Sequence, residues 1–346
     1  MKDRPLHILG VDQPCLIIAE AGVNHNGSLD RAKQLVEAAA VAGADAVKFQ
    51  LYRVEEQVSG GAKTAGYQKS QTGEDSMAEM AKQYDLPWSC HAEIAEHCRQ
   101  CGILYAASCF EPAAVDLVIE LGAPFLKIAS GELTNTRLLR YAAKQDLPIL
   151  LSTGMSTYED IAWAVGEIEQ HGNPPLALFH CISSYPTKLT DVNLRVMQVL
   201  SETHQVPVGL SDHTEGHLAA IVAIGMGASM VEKHFTLDKS LPGPDHAMSL
   251  DPQELGTYVR SIRQAEQCLG DATQIVSEEE MVNAKVARRS LVSARTIEAG
   301  ELFDESNTVL KRPGSGIDPR EWGRVAGKTA RCTIQADQLL TWDMVQ

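Results

Sequence analysis

Eight short apolar runs recur along the chain, at 16–21, 46–51, 104–109, 125–129, 149–153, 176–182, 208–211 and 230–235. Each is too short for a typical helix, is rich in aliphatic and β-branched residues, and is followed by a segment with helical spacing. Strands that are apolar throughout, rather than alternating, are buried on both faces, as in a parallel sheet covered by helices. Eight strand–helix units in the first 270 residues match the count for a (β/α)8 TIM barrel. A doubly wound open sheet is the alternative, because periodicity does not show closure.

Local signals place the helices. Ser28-Leu29-Asp30 starts one whose face carries Ala32, Leu35, Val36, Ala39 and Ala40. Ser156 followed by Glu159 has the form of a capping box. Asp251-Pro252-Gln253-Glu254 combines a cap, a first-turn proline and an acid, which suits a last barrel helix. One segment breaks the rhythm: 52–75 is long, polar and punctuated by Gly60-Gly61 and Thr72-Gly73. It follows the second strand on the face where loops carry function, and reads equally as a lid or as a tolerated insertion.

After residue 270 the texture changes. Residues 271–285 are polar and acidic and read as a linker. Residues 286–346 hold a strand at 290–294, a turn within 297–302, a rigid Pro-Gly loop at 312–316 and a short element at 339–345. The expected plan is a barrel over 1–270, a linker over 271–285 and a small, mostly β module over 286–346.

Charge narrows the partners. The chain has 346 residues and a formal net charge of -15. Residues 286–346 hold 9 Lys+Arg and 8 Asp+Glu, leaving 21 and 37 in the rest, so the acidic surplus belongs to the large domain. Such a surface repels nucleic acid and anionic membrane, and an anionic substrate must be held by particular lysines against the general field. No run approaches 18 apolar residues, so no transmembrane helix is expected. The start, Met1-Lys2-Asp3-Arg4-Pro5, lacks the form of a signal peptide, and eight scattered cysteines fit reduced thiols in a cytoplasm. Cys98 and Cys101, near His91 and His97, have a metal or redox spacing, but they lie inside a helical stretch with no second ligand pair.

The chemistry gathers at strand ends, where barrel active sites lie. Strand one ends in Glu20, and strand two carries Lys48 and Gln50. Ser108 follows on strand three, with Lys127, Ser130 and Glu132 on strand four. Then come Ser152 and Thr153, His180, Ser183 and Tyr185, Ser211 and His213, Glu232 and His234, and Asp245 just beyond. A lysine in an apolar strand needs a partner. Lys48 and Lys127, with several hydroxyls, suggest a phosphate or carboxylate ligand, the alternative being internal pairing with Glu20 or Glu132. His213 and His234 close neighbouring strands, which in parallel sheets lie roughly 4.8 Å apart. They read as two ligands of one divalent ion with open positions, or as hydrogen-bonded core histidines. Glu232 and His234 are two apart and share a face.

These residues resemble, in order, the sialic acid (N-acetylneuraminate) synthase family. The resemblance rests on Ile18-Ala19-Glu20-Ala21-Gly22-Val23-Asn24-His25-Asn26-Gly27, Val47-Lys48-Phe49-Gln50, Lys127-Ile128-Ala129-Ser130-Gly131-Glu132, Leu151-Ser152-Thr153-Gly154-Met155, Gly209-Leu210-Ser211-Asp212-His213-Thr214, Glu232-Lys233-His234-Phe235-Thr236 and Gly243-Pro244-Asp245-His246. The tail, with Lys311-Arg312-Pro313-Gly314, resembles the family's antifreeze-like (SAF) domain.

The resemblance implies condensation of phosphoenolpyruvate (PEP) with an N-acyl amino sugar such as N-acetylmannosamine, giving a nine-carbon keto acid and phosphate. It implies Mn²⁺ on His213 and His234, and PEP held by Lys48, Ser108, Lys127, Ser130, Ser152, Ser183 and Ser211. It implies the sugar on Glu20, Gln50, Tyr185, Glu232 and Asp245, with Lys48, Lys127 and Glu232 closest to the chemistry. Arg312 then reaches the sugar from the other subunit of a domain-swapped homodimer. Position 183 is Ser where some members carry Asn, and position 109 is Cys where Pro is common, which leaves legionaminic and pseudaminic acid precursors open as substrates. A synthase acting on a sugar phosphate is less favoured, because few extra basic residues are available for a second phosphate. A non-catalytic sugar-binding protein is the rival from another class.

Overall fold

The computed structural model describes residues 13–346. Met1 to Pro5, read above for a signal peptide, lie outside the described residues. The chain divides into two compact units, Met1–Gly270 and Asp271–Gln346.

The first unit is a closed barrel of eight parallel strands in sequence order. They are β1 (Leu16–Gly22), β2 (Ala46–Leu51), β3 (Leu104–Cys109), β4 (Leu126–Ile128), β5 (Ile149–Ser152), β6 (Leu176–Cys181), β7 (Val208–Asp212) and β8 (Met230–His234). β8 pairs back onto β1, with Glu20 opposite His234, so the sheet has no edge and the open-sheet alternative is excluded. The pattern was readable because every strand is buried on both sides. Ile17, Ala19, Val47, Phe49, Leu126 and Ile149 face outward into the layer shared with the helices. Leu16, Ile18, Ala46, Ala106, Phe125, Leu150, Ala177, Phe179 and Met230 fill the barrel's interior floor. Above that floor the inward positions turn polar, and that change marks the site.

Helix boundaries follow their caps. Ser28 caps Leu29–Ala42 by accepting from the Arg31 amide, and Gly43 ends it in the left-handed region. Asp251 and Glu254 form a capping box at the start of Pro252–Leu269. At the helix Tyr158–Gln170 the capping box is Thr157 with Asp160, one residue later than the Ser156–Glu159 pair expected from sequence. Thr157 and Asp160 satisfy the same S/T-x-x-acid spacing, so the motif alone does not fix the frame. Cys98 and Cys101 lie in the helix Cys90–Cys101. Cys98 is buried, burial pushes its thiol up to about 12, and all eight cysteines are free. The segment after β2 is not featureless: it carries the short helices Val54–Gln57 and Gly66–Thr72.

The second unit is built around an antiparallel pair, β9 (Ser290–Ser293) and β10 (Thr308–Lys311), extended by single bridges such as Val292 to Leu339 and Ile297 to Ile334. Its core is Leu291, Ile297, Phe303, Ile317, Val325, Ala330, Ile334 and Leu340. The stretch expected to be a linker contains the start of a helix, Glu278–Ala287, capped by Ser277 and Glu280. The acidic run that looked like linker composition, Glu278-Glu279-Glu280, is the favourable first turn of that helix.

Gly209 permits the closest approach between β7 and β8. A Cβ there would lie 2.3 Å from the Met230 carbonyl oxygen. Gly209→Ala is therefore expected to destabilise the barrel by about 1–3 kcal/mol, read as a lower urea midpoint with an unchanged slope.

Candidate active site

Alternation along eight strands brings one set of polar side chains to the C-terminal mouth. Glu20, Lys48, Ser108, Lys127, Ser152, Ser211, His213, Glu232 and His234 are all buried there. Glu232 from β8 sits between two ammonium groups, with Oε1 3.6 Å from Lys48 and Oε2 3.5 Å from Lys127. Lys48 also pairs with Glu20 at 2.7 Å and donates to Ser108 Oγ at 2.7 Å. Lys127 donates to Ser152 Oγ at 2.8 Å, and Ser211 Oγ donates to Glu232 at 3.5 Å. The sequence left ligand binding and internal pairing as alternatives. The ion pairs exist, and the pairing acids are Glu20 and Glu232 rather than Glu132, which lies further out and accepts from Asn135.

Burial and mutual proximity shift the ionisation of these groups. Burial, then the neighbouring Glu232 charge, push Glu20 up to about 7 although Lys48 pulls it down. For Glu232, burial works against ionisation but Lys127 and Lys48 outweigh it and hold the carboxylate below its ordinary value. Burial lowers Lys127 despite Glu232.

Beside this network lies a cradle of small groups. The Gly154 amide donates to Ser130 Oγ at 2.9 Å. A Cβ at Gly154 would lie 2.4 Å from Ser183 Oγ and 2.8 Å from Ser130 Oγ, so the glycine lets two serines from different loops converge. On the other side, Gly22 sits among Gln50, Glu20 and Asp245, each within 3.6 Å of where its Cβ would be. Gln50 donates to Glu20 Oε1 at 3.2 Å. Burial pushes the Asp245 carboxyl up to about 6.

The histidines close the mouth. Their ring centroids are 5.5 Å apart. His213 Nδ1 lies 2.8 Å from the Ile182 carbonyl oxygen, so it carries the proton and donates, leaving the Nε2 lone pair free. His234 Nδ1 is buried with no hydrogen-bond partner and lies 3.9 Å from Asp245 Oδ2. Burial, His213 and the lysines keep His234 neutral, well below the usual range. An available lone pair on one ring and an unpartnered buried nitrogen on the other fit a shared divalent ion better than two satisfied core histidines. Among the described residues no group of three or more His, Cys, Asp or Glu converges as a metal cage. His213 and His234 would supply two nitrogen ligands to such an ion. Tyr185 packs against both, tilted by 43° to the His213 ring at 4.2 Å and edge-on to the His234 ring at 6.0 Å.

Two residues lie elsewhere. His180, counted among the polar strand ends, faces outward and bonds the Val192 carbonyl oxygen at 2.6 Å. Arg312 belongs to the second unit, where it is exposed just after β10. A cleft of about 980 Å³ at the opposite mouth is lined by Cys15, Val208 and Ser229, and its charged groups are the carboxylates of Glu202 and Glu266, the wrong sign for an anion.

Sequence reasoning missed three contributors. Tyr67, from the helix Gly66–Thr72, packs against Tyr185 with centroids 5.1 Å apart. Cys181 Sγ lies 3.8 Å from His213 Nδ1. Asp212 and Lys233, facing outward, form a buried ion pair at 3.1 Å, with Asp212 also accepting from Tyr258. The signal for that pair was present: each is a charged residue immediately before a histidine, in a strand buried along its whole length.

Comparison with known proteins gives the family and its relatives. The NeuB family model matches residues 35–274, and the SAF domain model matches 288–346. The chain is 41% identical to the N,N'-diacetyllegionaminic acid synthase of Legionella pneumophila over 97% of this chain and 96% of that one. It is also 41% identical to the enzyme of the same name from Campylobacter jejuni, over 94% and 98%. The crystal structure of N-acetylneuraminic acid (sialic acid) synthetase from Leptospira borgpetersenii superposes with a TM-score of 0.69 at 32% identity, covering 78% of this chain and 90% of that one.

The glycine at the cradle gives a direct check. Gly154→Ala is expected to leave the fold intact, displace Ser130 and Ser183, and raise the KM for the anionic substrate about tenfold, measured by steady-state kinetics beside a thermal melt.

Proposed function

The chain belongs to the NeuB family, with a SAF domain following the barrel in sequence, and from that premise we propose that it is a nonulosonic acid synthase. It condenses PEP with an N-acyl amino sugar to give a nine-carbon keto acid and phosphate. The observation that carries this reading is Glu232 set between Lys48 and Lys127, two residues before His234 on the same strand, with the His213 ring 5.5 Å from that of His234. Two buried ammonium groups with serine hydroxyls suit a small dianion, and the paired imidazoles suit the carbonyl it must meet. Relatives at 41% identity are named for a diacetyl sugar acid, which favours a diacetamido hexose over N-acetylmannosamine as the partner.

The residues divide the work. Lys48 and Lys127 hold the carboxylate and phosphate of PEP, with Ser108, Ser130, Ser152, Ser183 and Ser211 donating to their oxygens. Glu20, Gln50, Tyr185 and Asp245 hold and orient the open-chain sugar so that its aldehyde carbon faces C3 of PEP. A new C–C bond forms there, water adds at C2, and phosphate leaves by cleavage of the C2–O bond. Glu232, already between both lysines, takes the proton from that water. His213 and His234 would hold a divalent ion, Mn²⁺ being the expected one, which supplies Lewis acidity to the aldehyde oxygen.

Three further parts of the reading follow. Glu20 serves both substrates, since Oε2 pairs with Lys48 while Oε1 accepts from Gln50. Arg312 reaches the sugar's N-acyl group from the partner in a domain-swapped homodimer, which accounts for an exposed arginine on a small module. The protein works in the cytoplasm, where PEP is made; among the described residues no helix is long and apolar enough to cross a membrane.

Phosphate release from PEP is expected only when an N-acyl amino sugar is added. Exhaustive chelation abolishes it and Mn²⁺ restores it; full turnover after chelation would remove the ion from the mechanism. His213→Ala and His234→Ala each lose activity with unchanged melting, whereas unfolding would return the histidines to a core role. Arg312→Ala raises the KM of the sugar about tenfold or more and leaves that of PEP within about twofold, and equal effects on both would displace it from the sugar site.

A further inference from the structure

The segment between β2 and the helix Cys90–Cys101 has a pinned base and a nearly free tip. At the base the Thr64 amide donates to the Asp75 carbonyl at 3.1 Å, and the Met77 amide to Ala62 at 3.1 Å. Thr64 Oγ1 donates to the Glu74 carbonyl at 2.7 Å. The helix that follows, Met77–Tyr84, seats Met80 and Tyr84 against Val23, Tyr52 and Val54. The tip is the helix Gly66–Thr72, which buries no side chain fully. Its other residues are Gly, Gln, Lys, Ser and Thr, which give it no apolar reason to lie against the barrel.

What holds the tip is Tyr67. Its ring packs against Tyr185, tilted by 32° with centroids 5.1 Å apart. Tyr185 in turn packs against His213, tilted by 43° with centroids 4.2 Å apart. Burial, and next the Asp245 carboxylate, hold the Tyr67 phenol well above the ordinary tyrosine range, consistent with a position at the mouth of the site. Tyr67 is thus one ring further from the histidines than Tyr185.

We propose that Tyr67 is a specificity-determining residue for the sugar, forming with Tyr185 an aromatic wall for the end of the sugar remote from its aldehyde. This rests on the synthase reading above. With the aldehyde at His213 and His234, the first stretch of the sugar meets Tyr185 and the distal substituents meet Tyr67. An aromatic face rewards an apolar group there and gains little from a hydroxyl. The second acetamido methyl of a diacetamido hexose is such a group; N-acetylmannosamine presents a hydroxyl instead. The wall therefore selects the diacetamido sugar.

The test uses the full chain and phosphate release at saturating PEP, with a diacetamido hexose and with N-acetylmannosamine. Tyr67→Ala is expected to lose about tenfold or more in kcat/KM for the diacetamido sugar, but to stay within about twofold for N-acetylmannosamine, with the KM of PEP unchanged. Tyr67→Phe keeps the wild-type ratio of the two sugars, because the ring and not the hydroxyl makes the contact. Equal loss on both sugars, no loss on either, or a Phe variant that loses the discrimination overturns the assignment. Tyr67→Leu, which retains bulk at an exposed tip, replaces the Ala variant if that one melts early, and is read by the same ratio. If the wild-type chain releases no phosphate with either sugar, the synthase reading itself falls, an outcome distinct from the others.

Discussion

A carboxylate between two buried ammonium groups organises this molecule. Glu232 can sit at the floor of the site only because Lys48 and Lys127 flank it, and those lysines can be buried only because Glu232 and Glu20 balance them. Isolated, each charge would cost several kcal/mol to bury. Together they offset one another above an apolar layer that includes Ile18, Ala106, Phe179 and Met230. An entering dianion must compete with the two carboxylates for the same two cations. On the function proposed above, binding at these lysines is an exchange of partners rather than the filling of an empty basic pocket. That is how a chain with a net charge of -15 can hold an anion.

Much of this was legible from residue order, and the reason is geometric. A closed parallel barrel buries every strand on both faces, so its strands stand out as continuous apolar runs, and any charged residue inside one is conspicuous. Lys48, Lys127 and Glu232 declared themselves that way. Which acid paired with which lysine did not, because Glu20, Glu132 and Glu232 are equivalent until the barrel closes and sets β1 beside β8. The helix cap at Thr157 escaped for a related reason: two overlapping capping motifs one residue apart are both valid locally, and packing of Ile161, Ala164 and Ile168 chooses between them.

Tyr67 was the least readable part. It lies in a polar, glycine-punctuated segment with no periodicity, and its importance comes only from the ring it meets, which is supplied by a residue 118 positions later. The acidic run at 278–280 misled in the opposite direction, since composition typical of a disordered tether is also what a helix favours in its first turn. In both cases sequence reported composition faithfully, and the three-dimensional neighbour decided its meaning.

The outward pair of Asp212 and Lys233 has a wider consequence. These residues sit on the helix side of the sheet, immediately before the two histidines, and lock β7 to β8 through the Thr214 carbonyl and Tyr258. The spacing of the imidazoles is thus set from behind, by groups no substrate touches. The tyrosines proposed to face the sugar lie in loops at the barrel mouth. Anchorage and selectivity occupy opposite faces of the same two strands, so loops can be exchanged or redesigned for a new sugar while the reaction centre keeps its dimensions.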